Sequence, residues 1–320
     1  MRSTLGVVAI AAASLLTAGL CFAADPPAIP FWAYGIPPGP MVAATPAAPD
    51  PSIRHLPGNS LEFTRAQISN GFGPADWYPG DHPQMPPIVA KGKEPAVRAC
   101  SLCHYPNGKG RAENAGVSGL PVSYFIQQML DFRDDKRKSA ETRKANTKAM
   151  AVFAKNMTDD EIKQAAEYFA AIKWTPWIKV IESKTAPKTK VNNGLFLAEG
   201  DEKEPLGNRI VEVPVNAEAT EILRDPHSGF IAYVPVGSLK KGEALAKSKQ
   251  CALCHGEGLK GLGPVPPLAG RSPSYLMRQM YDMEHGFRDG LWTGLMKPVV
   301  AGLSDQELLE LSAYVAAQAP

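Results

Sequence analysis

Apolar residues recur at helical spacing in two separate stretches of the chain, and the two read alike. In the first, Ile162, Ala165, Ala166, Phe169 and Ile172 lie on one face of a segment that opens with Thr158-Asp-Asp-Glu161. A hydroxyl followed three residues later by a carboxylate is the form of a capping box, so a helix is predicted over 159–174. Near the C-terminus Ser304-Asp-Gln-Glu307 precedes a segment with Leu308, Leu311 and Val315 on one face, and a helix is predicted there too. A further helical pattern covers 124–132. Between the two stretches the period shortens: runs at 209–215 and 230–236, separated by Asn, Asp and Gly, read as strands of a small sheet or hairpin. Pro214 and Pro235 place both strands at edges, because proline donates no ladder hydrogen bond. From 24 to about 90 no helical period lasts. Pro and aromatic residues dominate, as in Phe31-Trp-Ala-Tyr-Gly-Ile-Pro-Pro38, and an extended arm wrapping over the protein's own core is expected.

The likeness of the two stretches extends into a repeat. Counted from His104, Gly119 lies at +15, Tyr124 at +20 and Gln128-Met129 at +24 and +25; counted from His255, Gly270, Tyr275 and Gln279-Met280 hold the same offsets. Met150 precedes Met157, Asp159 and Tyr168 by 7, 9 and 18, and Met296 precedes Leu303, Asp305 and Tyr314 by the same distances. One gap of five residues before Met150 reconciles the copies. Self-similarity of this kind marks a duplicated domain.

Each copy is headed by the same motif, Cys100-Ser-Leu-Cys103-His104 and Cys251-Ala-Leu-Cys254-His255. Cys-x-x-Cys-His sets two thiols where they can add across the two vinyl groups of a haem, with the following imidazole beneath the iron. A thioredoxin-like dithiol needs a βαβ context that is missing here. A four-sulfur zinc site or two plain disulfides would leave both histidines, and the repeat, unexplained. Within each copy two methionines are candidates for the sixth iron ligand, Met129 or Met150 in the first and Met280 or Met296 in the second. His55, His82, His227 and His285 have no counterpart across the repeat and read as surface or loop residues. Arg133, Arg137 and Arg288 stand near the ends of the middle helices, where they could pair with haem propionates or with water.

The remaining composition narrows the setting. Arg2, an uncharged apolar run from Leu5 to Phe22 and small residues at Ala23 and Ala24 have the layout of a secretory signal peptide cleaved after Ala23. Asp25 and the Pro-rich stretch beyond it disfavour a retained membrane anchor, and bulky Leu20 disfavours a lipid on Cys21. No later run reaches eighteen apolar residues, so no anchor is expected in the mature chain. The formal charge of +2 becomes +1 once Arg2 is removed, which offers no case for a nucleic-acid partner.

The chain resembles the class I cytochromes c, specifically their two-domain dihaem members. The likeness rests on the two haem motifs, a middle helix opening at Tyr124 or Tyr275, a Met ahead of the last helix, and the capped last helix with Tyr168 or Tyr314. It covers about 91–175 and 238–320 and implies a mainly α fold with two cytochrome c domains there; the signal peptide at 1–23, the Pro-rich arm at 24–90 and the β-containing bridge at 176–237 lie outside the likeness and are read from the residues alone. It implies two covalently bound haem c groups, attached at Cys100, Cys103, Cys251 and Cys254 and ligated by His104 and His255. The family's ligand position then falls on Met150 and Met296. The expected role is single-electron transfer in the periplasm between a redox donor and an acceptor, a periplasmic dehydrogenase or a membrane oxidase among them. The alternative is a dihaem enzyme, a peroxidase or sulfur-compound oxidase, which needs one iron with an open position. Mass spectrometry of the purified protein is expected to give an N-terminus at or near Ala24; an intact Met1 or a lipid on Cys21 would contradict the export signal.

Overall fold

The computed structural model describes residues 29–37, 39–40 and 50–320. The expected signal peptide, its cleavage point and Cys21 lie outside the described residues. Before the first haem motif come α1 (Phe31–Tyr34), β1 (Ile53–His55), β2 (Glu62–Thr64), α2 (Arg65–Ile68) and α3 (Pro87–Ala90). The first repeat unit holds α4 (Cys100–His104), α5 (Val122–Arg133), α6 (Ala145–Asn156) and α7 (Asp159–Ala170). There follow β3 (Ile178–Glu182), β4 (Thr185–Asn192), β5 (Leu195–Pro205), β6 (Val211–Pro214), α8 (Ala217–Glu221) and β7 (Phe230–Val234). The second unit holds α9 (Ser238–Ser248), α10 (Cys251–His255), α11 (Pro273–Glu284), α12 (Thr293–Val300) and α13 (Asp305–Ala317). No described helix is long and apolar enough to cross a membrane.

Both capping boxes form. Thr158 accepts from the Glu161 amide while Glu161 reaches back to the Thr158 amide, and Ser304 and Glu307 do the same. These reciprocal bonds satisfy amides that the start of a helix otherwise leaves unpaired. The buried faces follow the apolar spacing: Ile162, Ala165, Ala166 and Phe169 on α7, and Leu308, Leu311 and Val315 on α13. The first core gathers Ile88, Val89, Met129, Phe132, Ile162 and Phe169, so the single turn of α3 packs with the first unit. In the second unit α9 lies against α13, and Gly242 makes the approach possible, since a Cβ there would collide with the Glu310 carbonyl oxygen.

The strands depart from expectation. β6 and β7 pair antiparallel, but the sheet also contains β3, which runs parallel to β7 and makes β7 the central strand. Pro214 does sit on an edge strand; Pro235 lies one residue beyond β7, so its missing N–H removes no ladder bond. The β4–β5 hairpin turns at Asn192-Asn193-Gly194-Leu195, with φ of 50° at Asn193 and 85° at Gly194. Successive left-handed residues are what a tight hairpin turn needs, and Asn-Gly supplies them at little cost.

The Pro-rich stretch packs at two places. Tyr34 is fully buried in the second unit's core with Met277 and Tyr281, its ring edge-on to Tyr281. Trp77, 2% exposed, packs with Leu56, Ile68 and Leu223, and its indole N–H donates to the Leu223 carbonyl at 2.7 Å. That bond ties the stretch to the segment after α8.

The two units face each other across a pseudo-two-fold relation. Lys138 N donates to Phe287 O at 2.7 Å, and Asp289 N donates to Lys136 O at 2.7 Å. Lys138 and Asp289 both lie at +34 from their histidines, Phe287 and Lys136 both at +32. Replacing Gly242 with Val is expected to destabilise the second unit by about 1–3 kcal/mol, the usual cost of overpacking against backbone that cannot yield. Denaturant unfolding of the holoprotein measures it, and unchanged stability would mean that α9 and α13 are not held at this distance.

Candidate haem sites

α4 and α10 are single helical turns, each ending at its histidine, so the two cysteines and the imidazole of a motif project from one short rigid element. His104 Nδ1 hydrogen-bonds the Ala115 carbonyl at 2.8 Å, and His255 Nδ1 the Pro266 carbonyl at 2.9 Å. Each acceptor lies eleven residues after its histidine. A carbonyl only accepts, so Nδ1 carries the proton and Nε2 keeps its lone pair for a metal. Burial lowers the pKa of both histidines, which holds them neutral, as a ligand must be. The four described cysteines form no disulfide, and burial pushes the Cys100 thiol up to about 12. A thioether carries no charge and meets no such penalty.

His104 and Cys103 open onto a cavity walled by Val117, Leu120, Phe125, Met129, Phe132, Met150 and Phe153. Tyr275, Arg278, Gln279 and Asp282, from α11 of the second unit, also line it. A largely apolar cavity lined by an imidazole, two methionine thioethers and several cations fits a haem, whose propionates those cations would hold. Met129 and Met150 both line this cavity: Met129 is 5% exposed within the core on α5, and Met150 is partly buried on α6. In the second unit Met280 and Met296 both pack, partly buried, against the core. Among the described residues no cluster of three or more His, Cys, Asp or Glu could hold a metal ion, so the two cysteine pairs are not brought together as a four-sulfur zinc site requires.

The three arginines noted in the sequence divide. Arg133 donates to the Ala154 and Met157 carbonyls and to Asp159, which secures the end of α6 to the start of α7. Arg137 and Arg288, both at +33 from their histidines, instead cross between the units. Arg137 donates to Gln128, Tyr275 and Gln279, and Arg288 donates to Gln279, Tyr124 and Gln128. The partners are themselves repeat equivalents, so the network is two-fold in its chemistry. Burial alone would raise the Tyr275 phenol, but Arg137, Arg288 and Arg278 outweigh it and lower its pKa.

His82 pairs with Asp76 at 3.1 Å, His227 with Asp81 at 2.5 Å, and His285 stacks on Tyr281; none lines the cavity. Sequence reasoning missed Lys144, Arg278 and Asp282. The one available signal was the five-residue gap before Met150, which falls on the loop that carries Lys144.

Residues 89–173 match the family model described as cytochrome c, and residues 237–315 match that of cytochrome c oxidase, cbb3-type, subunit III. Cytochrome c-554(548) of Halomonas halodenitrificans is 37% identical over 81 residues, which is 24% of this chain and 98% of that protein. The chain belongs to the cytochrome c family. This cytochrome c carries two covalently bound haem c groups, one for each domain. It is also similar to a thiosulfate dehydrogenase electron acceptor of Thiomonas intermedia, 24% identical over 227 residues, 70% of this chain and 80% of that one. A solved thiosulfate dehydrogenase from Marichromatium purpuratum aligns with a TM-score of 0.43 and 24% identity over 71% of this chain, which spans only 38% of that chain. The cytochrome transfers single electrons between a redox enzyme or membrane complex and a downstream acceptor.

With Met150 and Met296 as sixth ligands, replacing either with Ala is expected to abolish the charge-transfer band of Met-ligated ferric haem at one iron and to lower that iron's potential. Met129→Ala is expected to preserve both bands while costing about 2–5 kcal/mol as a core truncation. Absorption spectra of the three variants decide, and the reverse pattern would move the ligand to α5.

Proposed function

We propose that this cytochrome is the electron acceptor of a periplasmic dehydrogenase acting on a small sulfur compound, thiosulfate, and passes the electrons on to an acceptor such as a membrane oxidase. The haem-bearing domains are 91–175 and 238–320, with the arm at 24–90 and the bridge at 176–237 folded around them. Cys100 and Cys103 hold one haem by thioethers, with His104 and Met150 as axial ligands; Cys251, Cys254, His255 and Met296 do the same for the other. The neutral imidazole and the soft thioether favour ferrous iron, which suits an acceptor.

The observation that carries this reading is that α11 of the second domain forms part of the wall of the His104 cavity. One haem site therefore abuts the domain that holds the other, and an electron entering one domain has a short route to the second. Ligands supplied wholly by the chain need little rearrangement in one-electron transfer. Similarity to the Thiomonas acceptor over 70% of this chain supports a sulfur dehydrogenase as donor, and the signal-like N-terminus supports the periplasm.

Mixing the oxidised holoprotein with a thiosulfate dehydrogenase and thiosulfate is expected to reduce both haems, with both irons six-coordinate and low-spin in each redox state by magnetic circular dichroism. Thiosulfate oxidation by the cytochrome alone, accompanied by a high-spin fraction on reduction, would instead make it a dihaem enzyme.

A further inference from the structure

The His104 cavity is lined by five basic side chains against two carboxylates, Glu113 and Asp282. Neither carboxylate hydrogen-bonds Lys144 or Arg278. Asp282 Oδ1 accepts from the Tyr34 hydroxyl and from the Ala140 amide, each at 2.8 Å, and Glu113 pairs with Arg111 at 2.5 Å. Lys144, 4% exposed, donates one proton to the Tyr34 carbonyl oxygen at 3.0 Å. The described residues give its other two protons no acceptor. Arg278, 3% exposed, donates to the carbonyls of Ala33, Ala112 and Asn114 and to no carboxylate. Neither cation is hydrogen-bonded to a carboxylate, although Asp282 acts on both, Glu113 on Lys144 and Glu212 on Arg278, and each has a place on the cavity wall where a directly bonded anion would offset the cost of burial.

The arrangement belongs to one haem only. Lys144 stands six residues before Met150, within the loop that is five residues longer in the first copy; six residues before Met296 stands Gly290. Arg278 lies at +23 from His255, and the residue at +23 from His104 is Gln127. The second haem site therefore lacks the counterparts of both cations.

We propose that Lys144 and Arg278 form a seat for carboxylates, the propionates of the haem held at His104, and that the charge on Lys144 sets this haem's potential apart from that of the other. The proposal rests on the assignment of His104 as that haem's ligand. A fixed cation in a low-dielectric site disfavours the extra positive charge of ferric iron and raises the potential. The groups facing Lys144 are Arg278 and Asp282 from α11, Glu113 from the loop after α4 and Tyr34 from α1; Glu141 and Arg143, on its own segment, pair with each other at 2.6 Å. Burial first, and Arg278 second, lower the Lys144 pKa to about 7, and a seated propionate pulls it back upward. Raising the pH through the Lys144 pKa of the haem-bearing protein, which lies above that value, removes the cation and lowers the potential of this haem. Lys144 is a positioning and tuning residue; it does not touch the iron.

Spectroelectrochemical titration of the two-haem protein, from acidic to mildly alkaline pH, tests this with Lys144→Gln and Lys144→Arg. In Lys144→Gln one of the two potentials is expected to fall and to lose its decline with pH, while the other keeps its wild-type value. In Lys144→Arg, whose guanidinium stays charged, the same potential is expected to remain high and flat. Potentials of Lys144→Gln that match the wild type at every pH, or that shift equally for both haems, overturn the proposal. If Lys144→Gln loses haem, Lys144→Arg decides alone, and a preserved wild-type slope overturns the seat. A wild-type haem-to-protein ratio of one, with the single haem attached at Cys251 and Cys254, would overturn the His104 assignment rather than the seat.

Discussion

Two guanidinium groups, Arg137 and Arg288, hold the two haem domains face to face, and the haem sites depend on that hold. A guanidinium taken out of water must recover its hydrogen bonds from the protein, and each of these does so mainly from the other domain: Arg137 from Tyr275 and Gln279, Arg288 from Tyr124 and Gln128. The planar fork reaches a phenol and an amide at once, which specifies register as well as proximity. Because the partners occupy equivalent repeat positions, the contact is self-complementary, as in a two-fold dimer joined into a single chain.

Around this nearly symmetric centre the rest of the chain is asymmetric. The segment after α8 covers the first haem motif: Arg224 donates to the Leu102 carbonyl and lies over the Tyr105 ring, and Asn107 donates to Pro226 O at 2.9 Å. Leu102 is 8% exposed in consequence, whereas Leu253, its equivalent in the second motif, is 73% exposed. Tyr34 and the longer loop before α6 converge on Asp282 at the domain boundary. Arg271 likewise reaches from the second domain to the Gly116 and Ser118 carbonyls and lies over the Trp174 ring. Duplication thus supplies two similar haem sites, and the added segments give them different surroundings.

The haem motifs, the capped last helices and the duplication were legible in the sequence because each depends on residues close together in the chain. A capping box spans four residues, and Cys-x-x-Cys-His spans five. The strands were read only in part. β6 and β7 show apolar runs, but β3 joins the sheet by a parallel pairing across more than fifty residues. The β4–β5 hairpin carried a local Asn-Gly turn signal at Asn193-Gly194 that strand patterning alone did not pick out, since β5 from Glu199 onward is largely exposed.

The sequence by itself determined that two Cys-x-x-Cys-His motifs head two copies of one domain, since covalent haem attachment requires a short fixed spacing. The tertiary structure alone decided what surrounds them. That α11 walls the first haem cavity, that Tyr34 is buried against Tyr281, and that Lys144 loses its water all follow from contacts between segments tens to hundreds of residues apart. Desolvation of a lysine or arginine depends on every element packed around it, and no local pattern encodes that sum.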